Sequence, residues 1–211
     1  MNISQEIAKN LLEIKAVAIR STDNLFTWAS GIKSPIYCDN RLTMSYPHVR
    51  NMIANGFEKL IKEKYEDVEI IVGTATAGIP HAAWVSEKMN LPMAYVRSSA
   101  KGHGKGNQIE GIVKKGQKVV VIEDLLSTGG SSIKAVKALT EIGAEVLGVV
   151  AIFTYNFDQV DESFSKMKVS YDTLTGYNIL LPIAIDMGYI KEEEKEMLTK
   201  WSKNPYIFTK E

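Results

Sequence analysis

The chain has 211 residues, of which 45% are hydrophobic and 24% are charged, a composition typical of a folded globular protein. Basic and acidic residues number 25 each, so no net charge favours binding to nucleic acid or to an anionic membrane. Cys38 is the only cysteine, which excludes an intrachain disulfide and fits a reducing, cytoplasmic location. We expect one domain spanning residues 1–211 and no membrane anchor.

The first elements lie before residue 65. Residues 1–14 carry apolar side chains at helical spacing with charges between them, which predicts an amphipathic helix rather than a signal peptide. Residues 23–41 are rich in aromatics, Gly, Pro and Ser and predict loops and short strands. A second helix is expected over residues 47–62.

Strands and helices then alternate. Strands are predicted at 68–72, 93–96, 118–122 and 146–153, with helices at about 81–89 and 132–142. This alternation predicts an α/β fold with a central, mostly parallel sheet flanked by helices, and ligand sites at the carboxyl ends of the strands. After residue 160 we expect short helices and turns, and KEEEKEMLTKW is typical of a solvated helix face rather than of a binding site.

A long polar segment separates two of these strands. Arg97 to Gly111 reads RSSAKGHGKGNQIEG, with almost no apolar residue before Ile109. Such a segment cannot bury itself, and a long irregular loop inside a compact domain is usually functional or disordered. We therefore predict a mobile surface loop.

The stretch VVVIEDLLSTGGSS, Val119 to Ser132, joins an apolar strand, two adjacent acids and a hydroxyl-rich glycine loop. Glycines allow close approach of a ligand, and exposed amides at the start of the next helix favour phosphate. Glu123 and Asp124 would repel that phosphate but accept hydrogen bonds from a neighbouring polyol. A site for phosphate next to acceptors for two adjacent hydroxyls matches the groups of a ribose 5-phosphate. The alternative is a plain strand-loop-helix connection with solvated acids.

Other nucleotide-binding motifs do not fit. The pattern G-x-x-x-x-G-K-[ST] is absent from the sequence, and Gly102-His103-Gly104-Lys105-Gly106 lacks the spacing and the preceding strand of a dinucleotide site.

At Val119 to Ser132 the chain resembles the type I phosphoribosyltransferases. The motif by which that family binds phosphoribosyl diphosphate (PRPP) is likewise an apolar strand, two acids and a glycine loop rich in hydroxyls. Three further stretches resemble the members that use orotate: FTWASGIKSPIYCDNR from Phe26, GTATAGIP from Gly73, and the loop from Arg97. The likeness spans roughly residues 20–155. It implies a core of about 45–160 and a small hood formed by 1–44 and parts of 161–211.

The resemblance implies transfer of ribose 5-phosphate from PRPP to orotate, with release of diphosphate, in pyrimidine nucleotide synthesis. The implied catalytic residues are Lys101, His103, Glu123 and Asp124. The residues implied to bind PRPP are Thr74, Ala75, Thr76, Ala77, Gly78, Arg97, Lys101, His103, Lys105, Glu123, Asp124, Leu125, Leu126, Ser127, Thr128, Gly129, Gly130 and Ser131. Orotate would meet Phe26, Lys33, Tyr37 and Ser127.

The resemblance also implies the cofactor and the assembly. Mg²⁺ would be held mainly by PRPP, near Asp124, rather than by a dedicated cage of side chains. The loop from Arg97 would serve the active site of a neighbouring subunit, which implies a homodimer.

Several cations of the family pattern are missing. Ala29, Ala77 and Ser98 stand where many members have lysine, and Tyr155 lies near where some have an orotate-binding arginine. Glu123 replaces an aspartate. We hypothesise that Lys33 and Lys105 compensate.

Two alternatives remain open. The same fold could act on a purine base or on xanthine. A regulatory protein could keep the PRPP site as a sensor and bind DNA or RNA, although the balanced charge and the lack of an added domain disfavour this.

Overall fold

Strands and helices alternate along most of the chain in this computed structural model, which describes residues 2–28, 31–99 and 108–209. The strands are β1 (Val17–Ile19), β2 (Phe26–Thr27), β3 (Lys33–Ser34), β4 (Ile36–Cys38), β5 (Ile70–Thr74), β6 (Met93–Val96), β7 (Ile109–Glu110), β8 (Lys118–Leu126), β9 (Glu145–Thr154) and β10 (Ser170–Gly176). The helices are α1 (Ile3–Glu13), α2 (Pro47–Lys64), α3 (Gly78–Met89), α4 (Gly130–Glu141), α5 (Asp158–Met167), α6 (Tyr177–Asp186) and α7 (Lys195–Lys203). Short 3₁₀ helices cover Asn40–Ser45 and Glu192–Glu194.

The central sheet has six strands in the order β10-β9-β8-β5-β6-β7. Neighbouring strands are parallel except for β6 and β7, which are antiparallel. Alternate side chains of β8 enter different cores: Val120 and Ile122 pack with α1, α2, α3 and α6, whereas Val119 and Val121 pack with α4 and α5. Both faces of the sheet are thus covered, which explains the apolar strand sequences and confirms the predicted α/β fold.

Two sequence-based expectations were wrong in detail. Strand β8 continues four residues beyond the predicted end at residue 122, so both acids lie within it rather than after it. Residues 170–176 form the edge strand β10, where helices and turns were expected.

The helix expected near the C-terminus is present as α7. Its charged side chains Glu196 and Lys200 are exposed, whereas Trp201 is fully buried, so the helix is amphipathic with one solvated face.

The N-terminal strands and the C-terminal segment pack together beside the carboxyl end of β9. The ring of Trp28 lies 5.1 Å from that of Tyr155 and 6.0 Å from that of Trp201. Lys33 accepts a hydrogen bond from Trp201 Nε1 at 3.3 Å through its carbonyl and donates one to Thr209 Oγ1 at 3.2 Å through its amide. Within the described ranges, no helix combines the length and the apolar character needed to cross a membrane.

Candidate active site

The loop between β8 and α4, residues 127–129, is shaped by Gly129, whose φ is +77°. A Cβ atom added there would lie 3.1 Å from the Phe164 ring, so this turn leaves little space for a side chain. Helix α4 begins at Gly130, and the first amides of a helix have no partner within it. The loop therefore presents amides and the positive end of a helix dipole, which suits a phosphate group.

The carboxylate of Glu123 is turned toward this helix. Its Oε2 accepts hydrogen bonds from the hydroxyls of Ser131 at 2.9 Å and Ser132 at 3.0 Å, and its Oε1 accepts one from the Asp124 amide at 3.0 Å. The residue is only 4% exposed. These contacts satisfy a buried anion and tie the end of β8 to the first turn of α4.

Asp124 is half-buried beside Glu123. Burial, the charge of Glu123 and a hydrogen bond with it together raise the pKa of Asp124 to about 7, although the amides of Asp124 and Leu125 oppose the shift. Such a carboxyl group gains free energy from a nearby cation or from hydroxyl donors. It therefore suits a ribose, a metal ion or a developing positive charge.

The loop from Thr74 to Gly78 lies directly against β8. A Cβ atom on Gly78 would come within 2.5 Å of both the Ile122 carbonyl oxygen and Thr74 Oγ1, so only glycine allows this approach. The Ala75–Thr76 peptide bond is cis. The Ala75 amide donates to the Val96 carbonyl at 2.8 Å, which attaches the loop to the end of β6.

A cavity of about 130 Å³ opens between this loop and α4. Its lining residues are Thr74, Ala75, Val96, Arg97, Ser98, Ser131, Lys134 and Ala135. Residues of three separate sequence segments thus meet at the carboxyl edge of the sheet, as parallel strands dictate. Lys134 was not singled out from the sequence, although its position three residues after Ser131 places both on one helix face.

The ends of the segment between β6 and β7 lie side by side. The Arg97 amide donates to the Gln108 carbonyl, and Gln108 Nε2 donates to the Arg97 carbonyl, both at 2.8 Å. The Arg97 guanidinium is 3.5 Å from the Glu110 carboxylate. Arg97 therefore stands at the rim of the cavity. The predicted site residues Lys101, His103 and Lys105, like Ala29, lie outside the described residues.

A second cavity, of about 290 Å³, adjoins the loop after β8 on the side of the N-terminal strands. It is lined by Thr27, Trp28, Tyr37, Cys38, Leu125, Ser127 and Tyr155. Of the residues predicted to meet a planar base, Tyr37 and Ser127 line it directly. Sequence reasoning missed Thr27, Trp28 and Cys38, although they belong to the same aromatic-rich stretch.

The other two predicted base-site residues lie close to this cavity. The ring of Phe26 is 5.9 Å from that of Tyr37 and has the Arg20 guanidinium 3.9 Å from its centre. Lys33 Nζ donates to Thr27 Oγ1 at 2.7 Å, which places its cation beside a lining residue. The cavity thus joins aromatic surfaces, hydroxyls and a nearby cation, a combination suited to a flat anionic ring.

Tyr155 lies at the end of β9, in the region where some family members carry an arginine. Burial raises the pKa of its phenol well above the usual range, so the side chain is neutral. It packs against Trp28 and Phe157 instead of supplying a charge. Tyr155 therefore contributes an aromatic wall to the cavity.

Comparisons with known proteins agree with this geometry. A phosphoribosyl transferase domain model matches residues 48–178. The orotate phosphoribosyltransferase of Fusobacterium nucleatum is 60% identical over 203 residues, which cover 96% of each chain. That of Listeria innocua is 56% identical over 210 residues, or 100% of each chain. The solved orotate phosphoribosyltransferase of Aeropyrum pernix superposes with a TM-score of 0.75 at 27% identity, covering 87% of this chain and 99% of the other.

Proposed function

Since this chain belongs to the phosphoribosyltransferase family, among its orotate phosphoribosyltransferases, we propose that it makes orotidine 5′-monophosphate from orotate and PRPP. The chain is accordingly a pentosyltransferase of pyrimidine nucleotide synthesis. In the reaction, the bond from ribose C1 to the diphosphate oxygen breaks, a bond from C1 to N1 of orotate forms, and diphosphate leaves. The observation that carries the proposal is the meeting of an anion-binding helix start, an acid pair and an aromatic cavity at one edge of the sheet.

The 5-phosphate would bind at the loop of residues 127–129 and the first turn of α4. The amides and the helix dipole provide most of the attraction, and the hydroxyl of Thr128 is exposed to add a donor. Because Glu123 accepts from Ser131 and Ser132, it would hold this first turn in place rather than touch the phosphate.

Asp124 would accept hydrogen bonds from the ribose hydroxyls. As diphosphate departs, positive charge grows on the ribose ring, and an ionised carboxylate nearby stabilises that charge more than it stabilises the ground state. The half-buried setting strengthens the interaction because little water screens it.

Diphosphate would lie in the cavity between the loop from Thr74 and α4. The lining residues Arg97 and Lys134 supply positive charge there, and Lys134 would take over part of the role of the lysines missing at Ala77 and Ser98. By family resemblance, Lys101 and His103 would meet the leaving diphosphate as well, with His103 as the proton or hydrogen-bond donor.

Orotate would occupy the cavity lined by Trp28 and Tyr37. The flat ring would stack on aromatic side chains, Ser127 would line its pocket from the phosphate loop, and Lys33 would be the nearby cation for its carboxylate. Since Leu125, the neighbour of Asp124, also lines this cavity, a base bound here would lie close to the ribose proposed for Asp124.

We propose Mg²⁺ as the cofactor. Asp124 fits such an ion, because burial and the charge of Glu123 raise its pKa and a cation would offset both effects, whereas the Glu123 oxygens are already hydrogen-bonded. A bound Mg²⁺ would neutralise diphosphate charge. A homodimer that shares the segment after Arg97 is part of the same proposal.

The test is orotate consumption, followed by its ultraviolet absorbance, with PRPP and Mg²⁺ present and each then omitted. We expect loss of the orotate signal only when both are present. Diphosphate release with adenine, guanine, hypoxanthine or xanthine, and none with orotate, would overturn the base assignment. PRPP binding without turnover of any base would instead favour a sensor.

A further inference from the structure

Strand β8 extends past the end of its neighbour β5. The two strands pair as far as Gly73 and Ile122, whereas β8 and β9 stay paired to Leu126 and Thr154. Beyond Ile122, the edge of β8 that faces β5 needs other hydrogen-bond partners, because buried backbone groups are rarely left unpaired.

Two side chains take the place of the missing strand. Thr74 Oγ1 donates to the Ile122 carbonyl at 3.2 Å, and Asn40 Nδ2 donates to the Asp124 carbonyl at 2.6 Å. These carbonyls are two residues apart, as expected for groups on one edge of a strand. Asn40 is therefore bonded directly to the main chain of the acid assigned to the ribose.

Asn40 belongs to a buried polar chain that reaches the diphosphate side. Its carbonyl accepts a hydrogen bond from Thr43 Oγ1 at 2.6 Å, and that hydroxyl lies 3.4 Å from His81 Nε2. His81 is in α3, the helix that begins at Gly78 of the diphosphate loop. Burial lowers the pKa of His81 to about 4, so its ring is neutral at physiological pH.

Burial of this asparagine costs stability. Asn40 is 1% exposed, and its Oδ1, like His81 Nδ1, has no hydrogen-bond partner among the described residues. A buried acceptor without a partner is unfavourable, and an apolar side chain of similar shape avoids that penalty. The unpaired Oδ1 thus offsets part of the stability that the hydrogen bond from Nδ2 to the Asp124 carbonyl contributes.

Asn40 also stands next to the base cavity. It comes two residues after Cys38, the last residue of β4 and part of that cavity's lining. One amide thus connects the segment that lines the base site to the strand that carries Asp124. A small shift between these two parts would misplace the base N1 relative to the ribose, and misplacements of about 1 Å cost roughly 10²-fold in rate.

We propose that Asn40 is a positioning residue, whose amide fixes the Asp124 main chain at the open edge of β8 and aligns the ribose with the base. This inference rests on the proposed function and adds a residue that acts only through Asp124. It predicts a loss in kcat rather than in the binding of either substrate, because the carboxylate contributes most when charge develops on the ribose.

The variants Asn40→Leu and Asn40→Ala remove the amide donor without adding a charge. We expect kcat to fall about tenfold or more, with KM for orotate and PRPP changed less than about threefold. Both variants leave the Asp124 carbonyl without this donor, so we also expect a modest fall in melting temperature. Asn40→Ala is the second variant should the bulk of the leucine disturb folding.

A double-mutant cycle with Asp124→Asn gives the decisive measurement. If Asn40 acts through the Asp124 carboxylate, Asn40→Leu should lower kcat further by less than about twofold in the Asp124→Asn background. Independent, multiplicative losses would overturn the inference, and so would wild-type kcat in both Asn40 variants.

Matched controls separate positioning from general loss of a buried hydrogen bond. Tyr65→Phe removes a half-buried hydrogen bond to Asp172 at the amino end of the sheet and should leave kcat unchanged. Thr43→Val should lower kcat, whereas Thr43→Ser, which keeps the hydroxyl, should retain a kcat near that of the wild-type chain.

Failure of the proposed function is distinguishable from failure of this inference. If the wild-type chain is inactive with orotate but uses another base, only the base assignment is wrong. The double-mutant cycle of Asn40 and Asp124 would then be measured with that base.

Discussion

The carboxylate of Glu123 accepts a hydrogen bond of 2.9 Å from the Ser131 hydroxyl, across the loop that separates β8 from α4. Adjacent acids in one strand thus have different surroundings, because Glu123 is held by hydroxyls and Asp124 has a raised pKa. This division supports the proposal that Glu123 maintains the phosphate loop while Asp124 meets the ribose.

Glu123→Gln should shift the pH profile. The charge of Glu123 helps burial to raise the pKa of Asp124, so removing that charge should lower it. The acidic limb of kcat/KM for PRPP should therefore move to lower pH, because Asp124 must be ionised to act. Glu141→Gln, an exposed change at the far end of α4, is the control, and an unmoved limb in Glu123→Gln would contradict the assignment.

Asp124→Asn should stabilise the ligand-free chain at alkaline pH. An unfolded aspartate has a pKa of about 3.9, whereas Asp124 in the folded chain has one of about 7. Between these values the folded state holds a proton that the unfolded state lacks, so the stability contributed by this group falls as pH rises. The variant should melt a few degrees above the wild-type chain at pH 8, with the difference vanishing near pH 4. A constant difference across that range in thermal melts would argue against this cause.

Gly129→Ala should impair PRPP binding beyond its effect on stability. A left-handed conformation costs a non-glycine residue about 1–2 kcal/mol. Gly116 provides the matched comparison, since it also has φ of +77° but faces open space where Gly129 faces the Phe164 ring. Gly129→Ala should lose more stability in denaturant titrations, because its Cβ would also crowd the Phe164 ring, and KM for PRPP should rise several-fold in Gly129→Ala alone.

Lys134→Ala tests the cation that sequence reasoning missed. We expect KM for PRPP to rise about fivefold or more at low ionic strength, with the difference shrinking as salt is added. Lys137, exposed on the same helix but absent from the cavity lining, gives the control variant Lys137→Ala. Equal effects of the two substitutions would mean that only the overall charge of α4 matters.

Lys33→Ala tests the proposed contact with the orotate carboxylate. Removing a cation beside the base cavity should raise KM for orotate about tenfold and leave KM for PRPP nearly unchanged. Lys9→Ala, at a partly exposed position on α1, should change neither constant. Unaltered orotate kinetics in Lys33→Ala would remove this residue from the base site.

The fold was predictable where sequence periodicity reflects burial. Apolar runs such as Val119–Ile122 are buried on both faces, and that burial is what the pattern records. Strand β10 escaped prediction because an edge strand tolerates polar residues, and SYDTLTG contains several. The true end of β8 was hidden because acids normally end a buried strand, whereas here Glu123 finds hydroxyl partners from α4.

The site was only partly predictable, for a similar reason. The glycine loop and the aromatic stretch are local in sequence, so their composition indicates their chemistry. The roles proposed for Asn40 and Lys134 depend on residues far away in the sequence. Asn40 is hydrogen-bonded to the carbonyl of Asp124, and Lys134 lines a cavity with the loop from Thr74. No spacing rule connects such residues, and the arrangement becomes visible only when the sheet brings them together.

The hydrogen bond from Trp201 to Lys33 spans 168 positions, and the one between Lys33 and Thr209 spans 176. A chain emerging from the ribosome exposes β5, α3, β8, α4 and β9 well before it exposes either of these partners. Because a domain generally folds as a unit, the strands that carry the proposed ribose and phosphate sites are synthesised first but depend on these later residues for the outer support of the base cavity.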